Sequence, residues 1–261
     1  MKAEIRLVLL GDPVGHSRSP AIHRAALASL GLAGSYEARR SGHAGLLEAI
    51  EELKTGALDG INVTMPLKTT AATVADRLTE LAARSGSVNT LRAREGEAEG
   101  HSTDAAATKT LLEGTRFDVS APILVLGAGG AAAAVITAIE GRSVYLSSRS
   151  EQAARELATR AGHEVVVVPF EEPVPGAIVV NATPIGMNGE PLPAGLVEGA
   201  SGLVDLAYGR VDPPSTVRAR ALGLPVVDGI EFLALQAAES FSWWTGLEAP
   251  WDVMLVAAKN G

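Results

Sequence analysis

Short apolar runs alternate with amphipathic stretches along most of the chain. Runs such as residues 5–10, 58–63 and 123–126 end in glycine, proline or polar residues, which is typical of buried strands. Stretches such as residues 44–54 place their apolar side chains on one face, as an amphipathic helix does. The alternation predicts an α/β fold.

In the first half of the chain, the pattern predicts a smaller α/β domain. Pro20 suits the first turn of a helix and Ser19 suits its N-cap, while Asp104 is a possible cap for a later helix. We expect strands at residues 5–10, 35–39, 58–63, 87–91 and 97–101, and helices at residues 21–30, 44–54, 71–84 and 105–112.

The second half alternates more regularly and predicts a Rossmann-type, doubly wound parallel sheet. We expect strands at residues 123–126, 143–147, 165–168, 178–180, 203–206 and 225–229, with helices to about residue 139, at 151–161, at 231–244 and at 251–259. Residues 1–104 then form one domain and residues 105–235 the second, with a cleft between them. The helices of residues 236–261 have no remaining strand to cover, so we expect them to pack back on the first domain.

The dinucleotide-binding fingerprint occurs once, at Gly127-x-Gly129-x-x-Ala132, between a predicted strand and a predicted helix. Gly127 allows a tight turn, Gly129 lets a pyrophosphate approach the backbone, and Ala132 lets the helix pack closely on the strand. The helix N-terminus offers free N–H groups and a partial positive charge to the phosphates. A turn needed only for packing is the less favoured interpretation.

The end of the next strand indicates which dinucleotide is bound. NAD enzymes usually carry an acid there, which bonds the ribose 2′-hydroxyl, but this chain reads Ser147-Ser-Arg-Ser150. A carboxylate would repel a 2′-phosphate, whereas Arg149 attracts one and serine hydroxyls add hydrogen bonds. The sequence therefore favours NADP.

Two polar clusters in the first half are candidates for the chemistry. Lys68 follows the strand of residues 58–63, and Asp104 follows the strand of residues 97–101. A lone lysine after a strand is most often a surface residue, but a lysine beside a carboxylate can donate and accept a proton. Ser17 and Ser19 follow the first strand, where open α/β sheets bind ligands.

Composition narrows the classes of function. The 261 residues are 47% hydrophobic and carry a net charge of −8, without a block of lysine or arginine, so nucleic acid and anionic membranes are poor partners. The absence of cysteine excludes disulfides, thiolate metal sites and cysteine nucleophiles. The five histidines show no metal-ligand spacing, so no metal is expected. No signal peptide or membrane-spanning run is evident, and a cytoplasmic protein is expected.

Several motifs, in order along nearly the whole chain, resemble those of the shikimate dehydrogenases. They are Gly11-Asp-Pro-Val-Gly-His-Ser-Arg-Ser-Pro-Ala-Ile-His23, Asn62-Val-Thr-Met-Pro-Leu-Lys68, Gly86-Ser-Val-Asn-Thr90, Thr103-Asp104, Gly127-Ala-Gly-Gly-Ala131, Asn181-Ala-Thr-Pro-Ile-Gly-Met187, Asp228-Gly229, Gln236-Ala-Ala and Trp244-Thr-Gly246.

The resemblance implies NADP-dependent reduction of 3-dehydroshikimate to shikimate, in aromatic amino acid biosynthesis, with Lys68 as proton donor and Asp104 orienting it. It implies a substrate site of Ser17, Ser19, Thr64, Lys68, Asn89, Asp104, Tyr208 and Gln236. It implies a cofactor site of Gly127, Ala128, Gly129, Gly130, Ala131, Ser148, Arg149, Ser150, Thr183, Met187, Leu206 and Gly229.

The chain departs from the family pattern at a few positions, and alternatives stay open. Ser102 and Ala105 replace the usual Asn and Gly around the Thr-Asp pair, and Ser148-Arg-Ser150 replaces Asn-Arg-Thr. The stretch after Tyr208 is also unusual. A quinate or aminoshikimate dehydrogenase of the same family and a non-catalytic metabolite-binding paralogue remain possible, as does either a monomer or a homodimer.

Overall fold

The structure is a computed structural model that describes residues 4–261. The chain divides into two compact units. Unit 1 contains the chain up to Ala106 together with Leu233–Gly261, and unit 2 contains Ala107–Phe232.

Unit 1 is built on a mixed six-stranded sheet. Its strands are β1 (Ile5–Gly11), β2 (Gly34–Arg40), β3 (Gly60–Val63), β4 (Arg77–Leu78), β5 (Thr90–Arg94) and β6 (Glu97–His101). Their order across the sheet is β2-β1-β3-β5-β6-β4. Strands β1 and β2, and β1 and β3, are parallel, whereas β5 runs antiparallel to both β3 and β6. Buried leucine, isoleucine and valine side chains of these strands pack against the apolar face of a helix of residues 43–54.

In unit 1, the structure differs from the sequence-based prediction in three details. The helix predicted over residues 71–84 is wrong, because a two-residue strand, β4, divides it and pairs with β6. The strand predicted at residues 87–91 starts later, at Thr90. Ser19 is the first residue of its helix and makes no capping hydrogen bond, so the predicted N-cap role is also wrong. The helices are α1 (Ser19–Ser29), α2 (His43–Lys54), α3 (Lys68–Val74), α4 (Glu80–Ser85) and α5 (Thr103–Glu113).

Unit 2 is a parallel six-stranded sheet, which confirms the predicted fold class. Its strands are β7 (Ile123–Leu126), β8 (Val144–Ser147), β9 (Val165–Val168), β10 (Ile178–Asn181), β11 (Gly202–Asp205) and β12 (Val226–Val227). Read from the β9 edge, their order is β9-β8-β7-β10-β11-β12, which is the 3-2-1-4-5-6 order of the doubly wound dinucleotide-binding fold. Sequence analysis did not predict the helix of residues 214–221. The helices of unit 2 are α6 (Gly130–Ala138), α7 (Glu151–Arg160) and α8 (Pro214–Ala221).

Two helices end the chain, α9 (Gly229–Thr245) and α10 (Trp251–Asn260), and unit 1 includes everything from Leu233 onward. Trp244 lies against Gly60 so closely that a Cβ at Gly60 would be 2.6 Å from the indole ring. The Trp244 Nε1 donates to the Leu91 carbonyl at 2.9 Å, and α10 packs on α1. Within residues 4–261, no helix combines the length and apolar character needed to cross a membrane.

Candidate active site

The topology of unit 1 brings four chain segments to one edge of its sheet. Parallel strands β1 and β3 end together, and antiparallel β5 starts where they end. Strand β6, antiparallel to β5, ends at the same edge. The predicted substrate residues of unit 1 other than Gln236 lie in these segments, namely Ser17 and Ser19 after β1, Thr64 and Lys68 after β3, Asn89 before β5 and Asp104 after β6.

Lys68 and Asp104, 36 positions apart in sequence, form an ion pair at this edge, with 2.6 Å between Nζ and Oδ2. Lys68 is the first residue of α3, and Asp104 lies in the first turn of α5. Both side chains are largely sheltered, with relative exposures of 20% for Lys68 and 7% for Asp104. The surface-lysine interpretation of Lys68 is therefore wrong, because its ammonium group is held by a buried carboxylate.

The loop after β1 places two serine hydroxyls next to each other. Ser17 Oγ and Ser19 Oγ lie 3.2 Å apart, and Ser19 is buried. The Asp12 backbone N–H donates to the Met65 carbonyl at 2.9 Å, which joins this loop to the one that carries Thr64. The serine pair lies at the N-terminus of α1, where the helix favours negative charge.

Asn89 and Gln236 form an amide pair in unit 1. Asn89 Nδ2 donates to Gln236 Oε1 at 3.2 Å and to Thr103 Oγ1 at 2.9 Å. Thr103 is the residue before Asp104, and its backbone N–H donates to Asn89 Oδ1 at 2.8 Å. Gln236 thus has the hydrogen-bond partners that a glutamine among apolar residues requires.

In unit 2, the fingerprint glycines have different environments. Gly127 has a φ of +112°, and a Cβ there would lie 2.9 Å from the Ala182 carbonyl oxygen. A Cβ at Gly129 would meet nothing within 4 Å, so the space beside its backbone is open. Helix α6 starts at Gly130 without a side-chain cap, which leaves its first N–H groups for a phosphate. Gly127 to Ala131 therefore fit a dinucleotide.

The residues after β8 also fit a 2′-phosphate, mainly through one side chain. Arg149 is exposed and, within residues 4–261, forms no ion pair with an acid. Ser150 Oγ is already engaged, because it accepts a hydrogen bond from the Ala153 N–H at 3.2 Å as the N-cap of α7. Ser148 Oγ accepts from the Ser150 N–H at 3.3 Å. Arg149 is therefore the side chain with an uncommitted charge.

The remaining predicted residues of unit 2 follow its second group of strands. Thr183, after β10, donates from Oγ1 to Asn181 Oδ1 at 2.6 Å. A Cβ at Gly229 would lie 2.7 Å from the Ala207 carbonyl carbon, so packing alone already requires glycine there. Leu206 and Tyr208 follow β11, and Met187 is exposed. Tyr208 is the one predicted substrate residue that belongs to unit 2.

Comparisons with known proteins identify the family of the chain. The family model of the shikimate dehydrogenase substrate binding domain matches residues 9–91, and that of the shikimate 5'-dehydrogenase C-terminal domain matches residues 229–259. An NADP(+) shikimate dehydrogenase of Thermus thermophilus is 40% identical over 93% of both chains. The chain belongs to the shikimate dehydrogenase family.

Two solved structures connect the family fold with ligands. The shikimate 5-dehydrogenase from Thermus thermophilus, in complex with NADP(H) and shikimate, has a TM-score of 0.88 and 39% identity, covering 98% of this chain and 99% of the other. The quinate dehydrogenase from Corynebacterium glutamicum, in complex with NAD, has a TM-score of 0.86 and 29% identity, covering 99% of each.

A set of buried hydroxyl groups next to the amide pair of Asn89 and Gln236 could not be predicted from the sequence of this shikimate dehydrogenase family member. We call Thr90, Thr103 and Ser240 the hydroxyl layer; all three are fully buried. Ser240 Oγ lies 3.0 Å from Thr90 Oγ1 and 3.2 Å from Thr103 Oγ1. Asn62 Nδ2 donates to Ser240 Oγ at 3.2 Å and to Thr90 Oγ1 at 3.0 Å. The motif around Asn62 and Thr90 was visible in the sequence, but nothing in the sequence distinguished Ser240 from a surface serine.

Two histidines of unit 1, the buried His23 and the partly buried His101, are not poised for proton transfer. Burial lowers the pKa of His23 to about 3, and its ring stacks on Tyr36 with centroids 4.5 Å apart. Burial, followed by the charge of Arg92, lowers the pKa of His101 to about 4. Both are therefore neutral near pH 7. Within residues 4–261 no cluster of three histidine or acidic side chains is arranged to hold a metal ion.

Proposed function

We propose that this member of the shikimate dehydrogenase family catalyses the reversible NADP-dependent reduction of 3-dehydroshikimate to shikimate, with Lys68 as proton donor. The observation that carries the proposal is the sheltered Lys68–Asp104 ion pair at 2.6 Å, at the same sheet edge as Asn89. Relatives 33–40% identical to the chain are NADP(+) shikimate dehydrogenases.

The chemistry assigned to unit 1 is the handling of one proton. When bound, NADPH supplies the hydride that reduces the carbonyl. The carbonyl oxygen gains negative charge during reduction, and the Lys68 ammonium group stabilises that charge and donates a proton to the oxygen. In the oxidation of shikimate, neutral Lys68 accepts the proton again. Asp104 holds Lys68 Nζ in one position and is a hydrogen-bond acceptor for a substrate hydroxyl.

Recognition of a polyhydroxylated acid is assigned to the neighbouring polar side chains. Ser17 and Ser19, at the positive end of α1, are assigned to the substrate carboxylate. Asn89 and Gln236 supply amide groups for hydroxyls. A substrate that lacks one of these hydroxyls leaves a buried polar group unpaired, at a cost of roughly 1–3 kcal/mol. Thr64 and Tyr208 are assigned to the remainder of the same substrate.

Unit 2 is assigned to the cofactor. The loop from Gly127 to Ala131 would hold the pyrophosphate, and Arg149 the 2′-phosphate, because Arg149 carries the uncommitted charge at the end of β8. Ser148 and Ser150 contribute the surrounding turn. Residues after β10 and β11 are assigned to the nicotinamide half, namely Thr183, Met187, Leu206 and Gly229.

A quinate dehydrogenase is the second candidate, because the quinate dehydrogenase from Corynebacterium glutamicum has a TM-score of 0.86 to this chain. That protein was solved with NAD, whereas this chain carries Arg149 and no acid at the end of β8. Arg149 favours NADP, and with it the shikimate reaction. Aminoshikimate oxidation and non-catalytic metabolite binding remain as alternatives to be tested.

One assay separates these functions. The purified protein is mixed with 3-dehydroshikimate and either NADPH or NADH, and cofactor oxidation is followed by absorbance. The reverse reaction is measured with shikimate, quinate and aminoshikimate, each with NADP⁺ and NAD⁺. We expect the fastest turnover with 3-dehydroshikimate and NADPH. A preference for quinate would select the second candidate, and no turnover with any pair would leave a binding protein.

A further inference from the structure

Asp205, the last residue of β11, is a fully buried carboxylate that neither the sequence motifs nor the proposed chemistry uses. Its Oδ1 accepts hydrogen bonds from Asn181 Nδ2 at 2.8 Å and from the Ala207 N–H at 3.0 Å. Its Oδ2 accepts from Ser215 Oγ at 2.6 Å and, more weakly, from Thr216 Oγ1 at 3.4 Å.

These hydrogen bonds connect the loops that follow two neighbouring strands. Asn181, which donates to Asp205, also donates to the Ile185 carbonyl at 2.9 Å and accepts from Thr183 Oγ1 at 2.6 Å. Ala207 lies between Leu206 and Tyr208. A single carboxylate therefore fixes the start of the loop after β10 and the start of the loop after β11.

The location of these loops indicates which part of a dinucleotide they serve. In a doubly wound sheet the ligand lies outside the carboxyl ends of the strands, with one half of the dinucleotide on each half of the sheet. The fingerprint after β7 and Arg149 after β8 belong to the half that takes the pyrophosphate and the adenosine. Strands β10 and β11 belong to the other half, which leaves their loops for the nicotinamide.

The burial of Asp205 is costly for the folded protein. Within residues 4–261, its carboxylate forms no ion pair, so only neutral donors compensate its charge. Burial raises the pKa of Asp205, although the hydrogen bonds from Ser215, Asn181 and Ala207 act in the opposite direction. An apolar side chain at the end of a buried strand would avoid this cost. The bonding of Asp205 to two ligand-facing loops explains why a carboxylate is present.

We propose that Asp205 is a positioning residue that holds the loops after β10 and β11 in the geometry required by the nicotinamide half of NADP(H). The inference rests on the proposed function. It differs from a role in stability alone, because it predicts that one half of the cofactor depends on Asp205 and the other half does not.

The test compares NADPH with adenosine 2′,5′-bisphosphate, which contains the adenosine half and lacks the nicotinamide. Both dissociation constants are measured by isothermal titration calorimetry on the full chain. For Asp205→Ala, we expect NADPH to bind roughly tenfold or more weakly, because hydrogen bonds that fix both loops are lost, while the bisphosphate binds as to the wild type. An equal loss for both ligands, or no loss for either, would overturn the proposal.

Matched variants keep the test decisive. Asp205→Asn retains an acceptor for Asn181 and Ala207, and its amide can donate to the Ser215 hydroxyl, so NADPH affinity should recover. Ser215→Ala, on the side of Asp205 that faces α8, should leave both affinities unchanged. If Asp205→Ala does not fold, Asn181→Ala is read by the same criterion, since it breaks the link to the β10 loop.

The proposed function and the role of Asp205 can each be disproved without the other. A wild-type protein that binds NADPH but does not oxidise it with 3-dehydroshikimate would overturn the shikimate reaction. The ratio of NADPH to bisphosphate affinity in Asp205→Ala would still decide the role of Asp205.

Discussion

The Lys68 ammonium group and the Asp104 carboxylate lie 2.6 Å apart, and the acid is the more buried partner, at 7% exposure against 20% for the lysine. Lys68 is therefore held from the inside, by a carboxylate that solvent reaches poorly. In the reaction proposed above, the ammonium group would keep this position while it donates a proton to the substrate oxygen.

Replacement of Lys68 should affect turnover far more than binding. For Lys68→Ala, we expect kcat to fall by roughly 10²–10⁴-fold, the usual contribution of a general acid, while the shikimate dissociation constant changes little. Lys54→Ala is the matched control, because Lys54 pairs with Asp76 at 2.9 Å and is comparably sheltered, at 25% exposure. A kcat in Lys68→Ala equal to that of the control would place the proton donor elsewhere.

Asp104→Asn keeps the shape of the side chain and removes its charge. We expect kcat/KM for 3-dehydroshikimate to fall on the order of tenfold to a hundredfold, since a hydrogen bond to a charged group contributes about 1.5–3 kcal/mol. Steady-state kinetics measure the effect. Asp76→Asn, which removes the carboxylate partner of Lys54, should leave the kinetics at the wild-type level.

Arg149→Ala should weaken NADPH binding selectively. The guanidinium group is assigned to the 2′-phosphate, which NADH lacks, so KM for NADPH should rise roughly tenfold or more while KM for NADH stays nearly constant. Arg155→Ala provides the control, because Arg155 is also exposed on the adjoining helix α7 but pairs with Glu151. Equal losses for both cofactors would contradict a 2′-phosphate site at Arg149.

Thr103→Val should disturb the amide pair without changing the size of the side chain. Thr103 Oγ1 accepts a hydrogen bond from Asn89 Nδ2 at 2.9 Å and lies 3.4 Å from Gln236 Oε1. Without the hydroxyl, we expect KM for 3-dehydroshikimate to rise roughly tenfold, the effect of about 1.4 kcal/mol. Thr103→Ser keeps the hydroxyl and should recover most of the affinity; if it does not, the hydroxyl is not what positions the amides.

Protonation of His23 in the unfolded chain should lower the free energy of unfolding in mild acid. Its folded pKa of about 3 lies below the unfolded value of 6.5, so the unfolded chain takes up a proton first as the pH falls. The stability that neutral His23 contributes is complete above the unfolded pKa and decreases as the pH falls toward 3. At about pH 5 the loss amounts to about 2 kcal/mol in the free energy of unfolding.

Urea unfolding at about pH 7 and about pH 5 measures this difference. His23→Phe retains the ring stack on Tyr36 and removes the titrating group, so it should lose less stability than the wild type between the two pH values. His43→Gln, changed at an exposed histidine, should match the wild type. If His23→Phe also matched the wild type, protonation of His23 would not contribute to this loss of stability.

The sequence was most informative where a local pattern determines the structure. The parallel sheet of unit 2 follows from the alternation of strands and helices, and the fingerprint places Gly127 and Gly129 on the correct turn. The ends of β3 and β6 could be read from Pro66 and the polar residues after His101. The contact between Lys68, after β3, and Asp104, after β6, depends on the order of the strands in the sheet. Residue types alone suggest that order but do not determine it.

Long-range pairing accounts for the main failures. The helical pattern over residues 71–84 is real, but the Asp76 N–H donates to the Ala98 carbonyl at 3.0 Å and Asp76 Oδ2 accepts from the Ala98 N–H at 2.8 Å. These bonds hold the chain beside β6, so that the next two residues pair with it as strand β4. Ser240 was missed for a similar reason, because its partners Asn62, Thr90 and Thr103 are far from it in sequence.

The contact between Gly60 and Trp244 sets an order of events during synthesis. Unit 2 is a continuous segment that is complete at Phe232, whereas unit 1 needs Leu233–Gly261 as well. A growing chain can thus finish the later unit before the earlier one, whose β3 strand remains without its tryptophan until α9 leaves the ribosome. A chain that stopped at Phe232 would lack Gln236 and Ser240, so proteolysis or premature termination there would leave the candidate substrate site unfinished.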